Sequence, residues 1–179
     1  MKNDIDKVLF DELTLANKVK EIGALIEQDF KGKELVVVGI LKGANIFMSD
    51  LVRKINCPLI MDFMVVSSYG AATKSSGVVK ILKDLDSDIK GKTVIIVEDI
   101  IDTGLTLSYL KEYLINREAA EVKLCTLLNK PSGRTKPIHI DYVGFDVPDE
   151  FIVGYGIDYA EKYRNLPVIA TLKREVYEK

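Results

Sequence analysis

Glu98 and Asp99 stand side by side after an unbroken β-branched run, Thr93-Val94-Ile95-Ile96-Val97. Two isoleucines later comes Asp102-Thr103-Gly104-Leu105-Thr106. Paired carboxylates accept hydrogen bonds from sugar hydroxyls or hold a divalent metal. A glycine turn that opens a helix presents free backbone N–H groups and the positive end of the helix dipole, which suits an anion. Thr103 and Thr106 add hydroxyl donors, and the turn contains no lysine or arginine. It therefore fits a lone monophosphate better than the triphosphate of a P-loop. The carboxylates would repel that phosphate, so they must face a neighbouring group that offers hydroxyl donors or a metal. Phosphate at one end and a diol at the other describe a ribose 5-phosphate.

These residues need a strand to deliver them and a helix to receive them. The run Thr93–Val97 has no polar face, as expected of a central strand covered on both sides. Leu107 to Leu114 follows as a helix, so the chemistry sits at the strand's carboxyl end. Further apolar runs at Leu35–Leu41, Leu59–Val66 and Val122–Leu128 predict buried strands, and Val78–Leu82 a more exposed one. Leu15, Val19, Ile22, Leu25, Ile26 and Phe30 recur at helical spacing, and a shorter apolar helix is expected over 46–52. Alternating strands and helices predict an α/β fold: a central, mainly parallel, twisted sheet with helices on both faces. From 141 to 164 the rhythm gives way to alternating aromatic and aliphatic residues broken by glycines and Pro148, expected to form short strands of a cap.

The string VIIVEDIIDTGLT resembles the phosphoribosyl pyrophosphate (PRPP) motif of type I phosphoribosyltransferases. Its Glu-Asp pair and Asp-Thr-Gly take the form found in hypoxanthine-guanine phosphoribosyltransferases. The resemblance runs from about Leu35 to Pro167 and implies one phosphoribosyltransferase domain over 1–179, with a small C-terminal/N-terminal cap whose base-binding hood is built mainly from about 137–167. It implies transfer of the 5-phosphoribosyl group from PRPP to hypoxanthine or guanine, giving IMP or GMP and pyrophosphate, with Mg2+ as cofactor. Asp102 would be the catalytic proton acceptor. Glu98, Asp99, Asp102, Thr103, Gly104, Leu105 and Thr106 would bind the ribose and 5′-phosphate. Leu41, Lys42, Gly43 and Arg164 would bind pyrophosphate, with a cis peptide between the first two. Ser68 and Tyr69 would belong to a loop that closes over the substrate. Lys130, Phe151, Ile152 and Asp158 would meet the purine, and Glu98, Asp99 and Asp158 the metal. Some relatives carry a lysine where this chain has Leu105, so its phosphate must rely on backbone and hydroxyl donors.

Lys130 and Phe151 also make sense as chemistry. An ammonium can donate to an exocyclic carbonyl oxygen and finds no acceptor on an amino group, so it favours a 6-oxopurine over adenine. A phenyl ring stacks on a flat heterocycle. A second reading is a PRPP- or nucleotide-sensing regulator on the same fold, which would need the cradle and carboxylates but no proton acceptor at Asp102. A dinucleotide-binding domain would need a glycine-rich first loop, which Gly39-Ile40-Leu41-Lys42-Gly43 does not supply.

The bulk properties set limits. A chain of 179 residues can bury roughly 70% of its unfolded surface, enough for one domain without staples. With 47% hydrophobic and 29% charged residues it has an ordinary globular composition. Net charge −2 and a pI near 5.6 argue against a nucleic-acid partner. No apolar stretch approaches a membrane span, and the acidic N-terminal residues lack a signal-peptide core, so a cytoplasmic protein is expected. Cys57 and Cys125 read as reduced core residues, and one histidine, His139, is too few for a zinc site or a catalytic triad. The family resemblance implies a homodimer or homotetramer.

Overall fold

The computed structural model describes residues 1–68 and 79–178. Its strands are β1 (Ile5–Phe10), β2 (Leu35–Leu41), β3 (Leu59–Ser68), β4 (Val79–Lys83), β5 (Thr93–Ile101), β6 (Glu121–Asn129), β7 (Tyr142–Asp146), β8 (Ile152–Val153) and β9 (Ile169–Leu172). The helices are α1 (Glu12–Asp29), α2 (Asn45–Val52), α3 (Leu105–Asn116) and the short α4 (Arg174–Tyr177). Among the described residues no helix is long and apolar enough to cross a membrane.

Six strands form the main sheet in the order β4-β3-β2-β5-β6-β7, parallel except for the edge strand β4. The continuous apolar runs are explained by two cores. On one face Val37, Ile95, Val97, Cys125 and Leu127 pack with α1 and α2. On the other Val36, Val38, Ile96 and Leu124 pack with Leu107, Leu110 and Leu114 of α3. Successive side chains point to opposite faces, so a strand sandwiched by helices must be apolar at every position. Each fully buried aliphatic contributes about 1.5–3 kcal/mol, which makes these strands the main source of stability.

β4 lies at the edge, antiparallel to β3, and its exposure alternates accordingly. α1 begins at Asp11, whose carboxylate accepts the Thr14 N–H at 2.8 Å.

A second sheet, order β1-β9-β8, is antiparallel and pairs residues from both ends of the chain. The cap strands expected over 141–164 divide between the sheets. Tyr142–Asp146 extends the main sheet beside β6, whereas Ile152–Val153 joins the small one. The cap range thus holds only one strand of the small sheet. The other two come from the N-terminal and C-terminal segments, as expected of a cap drawn from both ends of the chain. Phe10 and Phe145 stack across the two sheets with centroids 3.9 Å apart.

Candidate functional site

A crevice opens where the chain changes direction across the sheet. β2 pairs with β5 only as far as Gly39↔Val97. Beyond that point Ile40 and Leu41 stay with β3, while Glu98, Ile100 and Ile101 stay with β6. The two central strands splay at their carboxyl ends, the usual place for a ligand in a doubly wound sheet. A cavity of about 270 Å³ fills the gap, lined by Ile40, Leu41, Val66, Glu98, Ile100–Gly104, Thr106 and Leu107. A larger cleft of about 490 Å³ lies between α1, α2 and residues 165–167. It holds Asp50, Arg53 and Lys54 but no cradle of backbone donors, so the smaller cavity is the better site.

β5 does not end at Val97. Its pairing with β6 carries it to Ile101, so Glu98 and Asp99 lie inside the strand rather than just beyond it. As neighbours in a strand they leave toward opposite faces, yet their carboxyls remain within hydrogen-bond reach of each other. Glu98 lines the cavity, with its Oε2 enclosed and lacking a hydrogen-bond partner. Asp99 is buried against the loop after β2, where a Cβ on Gly43 would meet Asp99 Oδ2 at 1.7 Å. Only glycine permits that approach. Burial pushes the Glu98 carboxyl well above the usual range, and the Asp99 charge pushes it further. Burial also raises Asp99, although the Ile100 N–H at 2.7 Å opposes the shift. Two neighbouring carboxyls whose charge burial disfavours suit a cation or hydroxyl donors, and Glu98 Oε2 is enclosed with no partner of its own.

The turn expected to bind phosphate is formed. Gly104 takes φ 81° at the N-cap of α3, a left-handed conformation that favours glycine. Leu105 N–H lies 3.4 Å from Thr103 Oγ1. Thr103, Gly104 and Thr106 line the cavity beside Glu98, so cradle and carboxylate meet as the spacing suggested. Asp102 is exposed at the lip.

The loop after β2 carries Leu41, Lys42 and Gly43, and the Leu41–Lys42 peptide is cis. Lys42 Nζ pairs with Glu161 at 3.0 Å. Arg164 reaches the same carboxylate at 3.5 Å, Asp158 at 2.8 Å and Gly156 O at 2.8 Å, while its Nε is buried without a partner. The two cations expected to meet pyrophosphate are thus brought together, with Glu161 between them. Ala160, Glu161 and Tyr163 all take positive φ (50°, 61° and 75°), a concentration of strained backbone common at ligand sites. Among the described residues no three acidic, histidine or cysteine side chains cluster as a metal site, so Asp158 does not join Glu98 and Asp99. It binds Arg164 and accepts the Glu161 N–H instead.

Of the residues expected to meet the purine, Lys130 is only 15% exposed and pairs with Asp149 at 2.6 Å. Phe151 is partly exposed, edge-on to Tyr159 and stacked on Tyr177 of α4 at 4.8 Å. Ile152 is buried within the small sheet. Ser68 ends β3; its side chain, Tyr69 and the expected closing loop to residue 77 lie outside the described residues. Sequence reading missed Glu161, Asp149 and Tyr177, because a lone acid or a terminal tyrosine has no local pattern to mark it.

Comparison with known proteins agrees with this geometry. Residues 8–160 match the family model described as Phosphoribosyl transferase domain. The chain is 56% identical over 178 residues to a hypoxanthine-guanine phosphoribosyltransferase of Bacillus subtilis, spanning 99% of each. It is also 56% identical over 177 residues to the bifunctional protein TilS/HprT of Listeria innocua, covering 99% of this chain but 27% of that protein. The crystal structure of a hypoxanthine phosphoribosyltransferase from Staphylococcus aureus superposes with a TM-score of 0.97 at 51% identity, over 100% of this chain and 97% of the other. None of these relatives supports the regulatory reading.

Proposed function

Because this chain belongs to the phosphoribosyl transferase family, and to its hypoxanthine-guanine branch, we propose that it moves the 5-phosphoribosyl group of PRPP onto hypoxanthine or guanine. It is a purine salvage transferase, and its products are IMP or GMP and pyrophosphate. The observation that carries the reading is the join of a cationless amide cradle to an enclosed, unpartnered carboxylate in one crevice.

The division of labour follows from charge and position. The Thr103–Thr106 turn anchors the 5′-phosphate, so binding energy from a non-reacting end orients the anomeric carbon. Glu98, on the cavity wall, would face the ribose hydroxyls and with Asp99 would hold Mg2+, which the unpartnered Glu98 oxygen fits, with Asp158 available to a second ion beside Arg164. When bound, Mg2+ supplies positive charge against the departing pyrophosphate. Leu41, Lys42, Gly43 and Arg164 receive that pyrophosphate, after Lys42 and Arg164 release Glu161. Asp102, at the cavity lip, takes the purine proton as the new bond forms. Lys130 donates to the 6-oxo group, Phe151 stacks on the base and Ile152 offers backbone groups to its edge. Ser68 and Tyr69 open the segment that closes over the substrates. The chain works as one domain, with the small sheet as the hood on the base side, in the cytoplasm, as a dimer or tetramer.

Incubation with PRPP, Mg2+ and each free purine in turn tests the reading. Nucleotide should accumulate with hypoxanthine and guanine and not with adenine. No nucleotide with any of the purines would refute it.

A further inference from the structure

The carbonyls of Ile101, Asp102 and Thr103, where the strand runs into the cradle, are all held by one later segment. Ile101 O accepts from the Lys130 N–H at 2.9 Å, and Asp102 O accepts from Arg134 Nε at 2.9 Å. Thr103 O takes three donors: the Thr135 N–H at 3.1 Å, the Lys136 N–H at 3.0 Å and Thr135 Oγ1 at 3.3 Å. Residues 130–136 are absent from the cavity wall, so these carbonyls point away from it. The strap is itself anchored: Arg134 Nη2 donates to Asn129 Oδ1 at 2.6 Å, and Asn129 Nδ2 to Asp146 at 2.7 Å. It also lies tight against the turn. A Cβ on Gly133 would meet Asp102 Oδ1 at 1.5 Å, and one on Gly104 would meet Lys136 O at 2.7 Å.

A trans peptide is planar, with its carbonyl and its N–H on opposite sides. Holding Asp102 O and Thr103 O on the strap side therefore turns the N–H groups of Thr103 and Gly104 into the cavity. We propose that Arg134, with Thr135 and Lys136, is a positioning strap that aims the amide donors of the 5′-phosphate cradle. The inference rests on the reading of Thr103–Thr106 as that cradle. Arg134 never touches the phosphate. Its guanidinium makes charge-assisted bonds to carbonyls, stronger than those neutral donors would make. With the strap released, the 102–103 and 103–104 peptides are free to rotate and present oxygens to an anion.

The test compares wild type with Arg134→Met, which keeps the bulk, and Arg134→Lys, which keeps a cation and one donor. Titration with ribose 5-phosphate reads the cradle alone, and steady-state kinetics read both substrates. Arg134→Met should weaken ribose 5-phosphate and raise the KM for PRPP by about tenfold, with the KM for hypoxanthine changed by less than about twofold. Arg134→Lys should recover part of the loss. A merely structural residue would lower the melting temperature without this one-sided effect. Equal changes for the two substrates, or an unaltered ribose 5-phosphate affinity, overturn the strap. Failure of wild type to bind ribose 5-phosphate overturns the cradle and the strap together. If Arg134→Met does not fold, Arg134→Lys decides by the same criterion.

Discussion

Asp102 and Glu98 differ in what holds them, and their substitutions should differ in kind. Asp102 stands exposed over Gly133. Asp102→Asn should leave PRPP binding intact and cost on the order of 10² in turnover with hypoxanthine, read by titration and by initial rates. Near wild-type turnover would remove Asp102 from the mechanism. Glu98 is the opposite case: burial disfavours its charge, and Oε2 has no partner. Such a group weakens the unliganded fold in order to meet a ligand. Glu98→Gln should stabilise the free protein by about 1 kcal/mol while weakening PRPP, with thermal melts and calorimetry as readouts. A variant that melts lower and binds PRPP normally would contradict that trade.

At the scale of elements, the loop between β4 and β5 is pinned by Asp62 of β3. Its carboxylate accepts the N–H groups of Phe63, Asp86 and Ser87 at 2.7, 3.0 and 2.8 Å. Desolvation alone would raise its pKa, but the backbone donors outweigh it, and the net position is below the ordinary aspartate range. A carboxyl lowered on folding stabilises the fold above its unfolded pKa, and loses that contribution as pH falls through its folded one. Asp62→Asn should therefore cost on the order of 1–3 kcal/mol at neutral pH, since an amide cannot accept at both positions. The gap to wild type should close as pH falls below about 4. Denaturant melts from pH 7 to pH 2 check this, and a gap that stays constant would sink it.

At the scale of the whole molecule, the crevice belongs to the main sheet and Phe151 to the small one, so the proposed base site needs the two sheets in register. Phe10 on Phe145 is a direct aromatic tie between them, with Lys18 over the Phe145 ring at 5.4 Å. Gly156 meets the loop after β2 as well, since a Cβ there would lie 2.1 Å from Gly43 O. Phe10→Ala should cost about 3 kcal/mol and raise the KM for purine more than that for PRPP. Equal changes in the two KM values would show that the small sheet moves with the main one despite the lost ring.

Sequence alone determined what is local or periodic. The central strands were legible because a strand covered on both faces must be apolar throughout, and the cradle because a glycine turn, two threonines and neighbouring carboxylates lie within nine residues, 98–106. The role of Lys130 or Arg164 came from family resemblance, since a lone cation in a loop has no pattern of its own. Tertiary structure alone decided how far β5 runs, because pairing with β6 outlasts the end of β2, and so that Glu98 and Asp99 lie within the strand. It also decided the register in which β1 pairs with β9 and that residues 134–136 reach back to 102–103. Those contacts join segments distant along the chain, and contacts of that kind arise only when the whole chain closes on itself.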